Sequence, residues 1–141
     1  MHDDDSQMQL GFRMLDAIYN SLKDRHHADK EIEKGTTFQT KIGQSLGMST
    51  SNSAAMRFAQ LQGFKLVIQK DPKHGGVNIK AAPEKEIDLT PLYNALVGKD
   101  TVGNWYFHNG KHMIINNSSH SKQRPTPLSL DEVIAIAKVT V

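Results

Sequence analysis

The stretch from Ile42 to Lys80, IGQSLGMSTSNSAAMRFAQLQGFKLVIQKDPKHGGVNIK, decides how the rest of the chain is read. Phe38, Ile42 and Leu46 recur at helical spacing, Thr36 or Thr37 stands ready to cap such a helix, and Gly47 stops it. GMSTSNS breaks that pattern. A further helix follows, with Ala55, Met56, Ala59 and Leu61 as its inward residues and Gly63 as its end. Phe64, Leu66 and Ile68 then alternate with Lys65, Val67 and Gln69, which is the period of a strand. KDPKHGG is dense in turn formers, and Val77 and Ile79 alternate with Asn78 and Lys80. The order is helix, turn, helix and a β-hairpin with a basic tip.

On the N-terminal side, Met8, Leu10, Met14, Leu15, Ile18 and Leu22 form the apolar stripe of a long first helix from Ser6 to about Arg25. HHADKEIEKGTT after it reads as a polar linker or frayed end with one short helical turn. On the C-terminal side, Ala82-Pro83 marks a boundary. DLTPLYNALVGKD predicts a short helix with Thr90 as N-cap and Pro91 at its first position. NWYFHNGKHMII predicts a hairpin closed by Asn109-Gly110 in a type I′ turn, which sets Trp105 opposite Ile114 and Phe107 opposite His112. Trp105 and Phe107 are then core and Tyr106 an exposed contact, with the reverse assignment open. A polar loop leads to a closing helix capped by Ser129 or Asp131.

A length of 141 residues suits one compact domain or two very small ones. Without cysteine there is no disulfide framework and no thiolate site, which suits a reducing cytoplasm. The acidic start is the reverse of a signal peptide, and no apolar run is long enough for a membrane span. Charge is unevenly placed. Residues 35–85 carry seven Lys and Arg against two Asp and Glu, whereas residues 1–34 are net acidic and residues 86–141 are neutral. One segment meeting a polyanion produces that pattern.

Ile42, Gly43, Leu46, Gly47, Met48 and Ser49, then Leu61, Gly63 and Phe64, then Asp71, Pro72, Gly75 and Gly76 resemble the winged helix-turn-helix regulators of the MarR kind. The resemblance spans residues 36–82. It implies a winged-helix module over residues 1–82; with the α-β-β-α portion read from the residues over 83–141, which packs on it or forms a dimer contact, the whole is an α+β fold. It also implies a non-enzymatic protein that binds double-stranded DNA, regulating transcription or a mobile element. In that docking Ser51, Asn52, Ser53 and Arg57 enter the major groove, and Lys70, Lys73 and His74 lie at the wing tip. Lys41, Lys65 and Lys80 add attraction to phosphate. Arg57 is the one basic residue inside the recognition helix, so affinity rests mainly on the wing.

Two other readings have sequence support. A winged helix can serve as an adaptor or inhibitor that binds another protein, with Tyr106 as a contact. His108, His112 and His120 with Asn116 and Asn117 loosely suggest a ββα-metal nuclease, although no acidic residue lies between Asp100 and Asp131. Surface histidines are the better reading. No nucleotide loop, serine elbow or zinc-protease motif is present, so neither cofactor nor metal is expected. The first and closing helices offer seams for a two-fold homodimer.

Overall fold

The computed structural model describes residue 18 and residues 22–23, 25–116 and 124–141. Residues 25–34 are helical (α1), and two strands follow at once, β1 (Thr36–Thr40) and β2 (Gly43–Ser49). After these come α2 (Ser53–Leu61), β3 (Leu66–Lys70), β4 (Val77–Ala81), α3 (Thr90–Lys99), β5 (Tyr106–Phe107), β6 (Met113–Asn116) and α4 (Leu130–Thr140). The described residues thus form an α+β fold with four helices and one six-stranded sheet, in the order β1-β2-β3-β4-β6-β5.

The linker expected after Arg25 is α1 itself, which buries Ala28 and Ile32 one turn apart. Of the stripe expected before it, Ile18 and Leu22 are exposed, and Met8, Leu10, Met14 and Leu15 lie outside the described residues. A larger correction falls on residues 36–49. These form an antiparallel strand pair, with Phe38 opposite Ser45, where a helix was expected. The helix-turn-helix is therefore not formed. β-branched and aromatic residues in TTFQT favour extended backbone, and the hydroxyls of Thr40 and Ser45 bond to each other at 3.2 Å across the pair. Gly43 enters β2 at φ 133°, a conformation that β-carbon-bearing residues avoid. Gly47 does not make a turn; it lies mid-strand, where a β-carbon would come within 2.5 Å of Ile134 on α4.

β2, α2 and β3 make a parallel crossover, and β3 continues into the antiparallel hairpin with β4 that its alternation predicted. β4 then pairs with β6, so the sheet runs straight past Ala82-Pro83. The sheet carries helices on both sides. Leu46, Met48 and Val67 meet α1 and α2, while Leu66, Ile68, Val77, Ile79 and Ile114 meet α3 and α4. β3 is consequently apolar on both faces, as an internal strand between two layers must be.

Local details also differ. On α2 the buried aromatic is Phe58, and Leu61 turns outward at 71% exposure. Thr90 does not cap α3; Leu89 holds the N-cap position without a side-chain bond, and the Asp88 carboxylate just before it accepts from the Thr90 backbone N–H and hydroxyl. In the last hairpin Phe107 pairs with Ile114 and Tyr106 with Ile115, a register two residues from the expected one. The loop is longer than two residues, and the left-handed position falls on Lys111 at φ 62°. Trp105 and Phe107 nonetheless pack on the core and Tyr106 is 49% exposed. α4 begins at Ser129 with a full capping box, Ser129 Oγ accepting from Glu132 N.

Candidate functional site

Side-chain alternation divides β4 cleanly. Val77, Ile79 and Ala81 enter the core under α3 and α4, so Asn78 and Lys80 face the α2 side. Their partners across the register, Ile115 and Met113, share that side, and so does Tyr106. α2 lies over β2 and β3. Among the described residues no helix covers β4, β6 and β5 there.

Along this open half of the sheet run two clefts. The first, about 260 Å³, lies between α2 and β4 and is lined by Ser51, Met56, Arg57, Gln69, Asn78 and Lys80, with Asp71 at its end. The second, about 550 Å³, includes Leu61, Phe64, His108, His112 and Met113. Arg57 and Lys80 belong to both. They come from different elements and stand where the clefts meet. The ion pairs among the described residues are Lys65–Glu84 and Lys111–Asp88, so neither Arg57 nor Lys80 has an acidic partner there. The Arg57 guanidinium lies 5.1 Å from the centre of the Phe58 ring, and the Arg25 guanidinium lies 5.8 Å from the same ring. Cation–π contact holds Arg57 in place without neutralising it.

The first cleft is bounded by an ordered polar frame. Gln69 Nε2 donates to the carbonyls of Thr50 and Asn52, at 3.0 and 3.2 Å, which ties the loop before α2 onto β3. Asn52 caps α2 by accepting from Ala54 N. Asp71 accepts from Ser51 Oγ, Lys73 N and His74 N. Partial burial pushes the Asp71 carboxyl upward, yet these bonds outweigh it and hold its pKa below the ordinary carboxylate value. Asn78 is the exception: its Oδ1 is buried and accepts from nothing. A buried acceptor without a donor costs about 1–3 kcal/mol.

Of the residues expected to form an interface, the structure brings Ser51, Asn52, Arg57 and Lys80 together beside the first cleft. Ser53 opens α2, its side chain lying outside the described groups. Lys73 and His74 lie exposed in the turn beyond Asp71. The others are elsewhere. Lys41 lies in the β1–β2 turn at the sheet's far edge, and Lys65 is paired with Glu84. Lys70 points to the opposite face, donating from Nζ to the carbonyls of Gly75 (3.0 Å) and Leu128 (2.9 Å). Desolvation lowers its pKa despite the opposing pull of Asp100 and Glu132. Of the histidines, His112 contacts the Glu84 carbonyl and His108 Nδ1 accepts from Gly110 N. His120 and Asn117 lie outside the described residues. Asn116 points into the α3–α4 side, holding Arg124 and Thr126. No group of three or more His, Asp or Glu among the described residues is placed to hold a metal, and no described helix is long and apolar enough to cross a membrane.

Sequence reasoning missed Gln69, Asp71, Asn78 and Met113 as site residues. A signal was available in β3 and β4, where Gln69 and Asn78 occupy paired positions on one face, Asn78 between Val77 and Ile79. Comparison with family models, curated proteins and solved structures finds no match for this chain.

Proposed function

We propose that this protein binds DNA without acting on it, holding phosphates along the open half of the sheet beside α2. The observation that carries the reading is the convergence of Arg57 and Lys80, two cations from separate elements without an acidic partner among the described residues, on the junction of two clefts. Guanidinium and ammonium groups so placed serve a chain of phosphates. Lys73 and His74 lie beyond Asp71, away from that junction. Docking of a recognition helix with a wing depended on a helix-turn-helix, and residues 36–49 are strands. The sheet face takes over that role.

Fluorescence anisotropy of labelled DNA across a salt series tests the reading. Arg57→Ala and Lys80→Ala are each expected to reduce the log–log salt slope by about one unit. Lys70→Ala and Lys65→Ala leave it unchanged, because their ammonium groups are already engaged within the protein. Equal slopes for all four variants and the wild type would refute the assignment. A protein partner is the second reading, favoured by Leu61 at 71% and Tyr106 at 49% exposure. It predicts no DNA affinity at low salt and a partner whose capture is lost with Leu61→Asp.

A further inference from the structure

Resting on the DNA reading, we infer that the cleft between α2 and β4 takes one unpaired nucleobase, and that the Asn78 side-chain oxygen accepts an N–H from its edge. The protein is then a reader of single strands.

Three features of the cleft lead there. Its polar frame is almost fully engaged: Gln69 is committed to two carbonyls and Ser51 to Asp71. Among the described residues Asn78 Oδ1 is buried without a donor, and it has no bond to give up when the amide turns toward an incoming group. What it lacks is an N–H, which every nucleobase presents along its pairing edge. Lining the cleft, Met56 and Arg57 add a polarizable thioether and a planar guanidinium, groups that pack on a flat ring.

Charge sets the direction of the strand. Asp71 at one end repels phosphate, and Arg57 with Lys80 at the other attracts it. A phosphate between those two cations places one base in the first cleft and its neighbour in the second, where Phe64, His108 and His112 offer ring faces. A base held against Asn78 by its pairing edge cannot be paired with a complementary strand. Duplex DNA therefore reaches the cations but not the cleft.

The test uses the full chain and fluorescein-labelled ten-nucleotide strands followed by anisotropy: oligo-dA, oligo-dC, an abasic strand with the same number of phosphates, and a duplex. A base-bearing single strand is expected to bind about tenfold more tightly than the abasic strand or the duplex. Asn78→Leu is expected to remove most of that preference while leaving abasic affinity and the salt slope intact. Equal affinity of the wild type for base-bearing and abasic strands, with the salt slope retained, overturns the base pocket and leaves the DNA reading standing. Preference for the duplex overturns it in the same way. Absence of binding to any of these molecules at low salt overturns both. Displacement of the strand by micromolar deoxyadenosine or deoxycytidine monophosphate would assign the cleft to a free nucleotide and defeat the single-strand inference.

Discussion

The Asp100 carboxylate sits 5% exposed where the chain leaves α3, and it accepts from Val102 N, Gly103 N and Trp105 Nε1 at 2.7–2.9 Å. Burial alone raises such a carboxyl. Here bonds from Thr126, Gly103, Val102 and Trp105 prevail and its pKa falls below the ordinary value. A lowered folded-state pKa means that the stabilisation is complete above the unfolded value, near pH 4, and is lost as pH falls through the folded one. Asp100→Asn is expected to cost about 2 kcal/mol in urea unfolding at pH 7, since it removes hydrogen bonds to a charge. The acid limb of stability against pH becomes shallower at the same time. Trp105 fluorescence reports both. Asp100 was not legible as a special residue, and Asn78 showed only as a polar residue between Val77 and Ile79, because burial of a polar group depends on elements far away in the chain. Arg57 and Lys80 were legible as cations, but only the sheet register brought them to one place while it sent Lys70 to the other face.

Among the elements, α4 was read correctly down to its cap, one of the two alternatives, because its signal is local: Ser129 and Glu132 stand three residues apart. Ser129→Ala is expected to cost about 1 kcal/mol by urea denaturation, with no change in the slope of the transition. β3 and β4 were also readable from alternation, which β4 keeps throughout and Val67 interrupts in β3. Residues 36–49 were not, and the reason is arithmetic. Spacing by four is one helical turn but also twice the strand period, so Phe38, Ile42 and Leu46 satisfy both. The β1–β2 turn then sends Phe38 and Leu46 to opposite faces of the sheet, where a helix would have put them on one. Asn109-Gly110 misled in a different way. The dipeptide favours a two-residue turn, yet Lys111 takes the left-handed position and the paired register slips by two.

At the scale of the whole molecule, one sheet serves two cores, with Leu46 and Val67 on one side and Leu66, Ile68 and Ile79 on the other. β2 and β3 contribute to both layers, so the two layers are expected to melt together. Leu46→Ala and Ile79→Ala are each expected to cost about 2–5 kcal/mol and to shift a single transition. Circular dichroism and Trp105 fluorescence should coincide for both variants; separate transitions would show that the layers melt independently. This sharing also bears on biosynthesis. α4 follows every described strand, yet its Ile134 presses on Gly47 of β2 and its Val133 and Ala137 belong to the core of that face. While translation is under way, Leu66, Ile68, Val77 and Ile79 emerge well before the helix that covers them. The nascent chain carries a sticky, half-roofed sheet past the ribosome exit until α4 arrives, so slow synthesis across residues 82–129 lengthens its need for a chaperone.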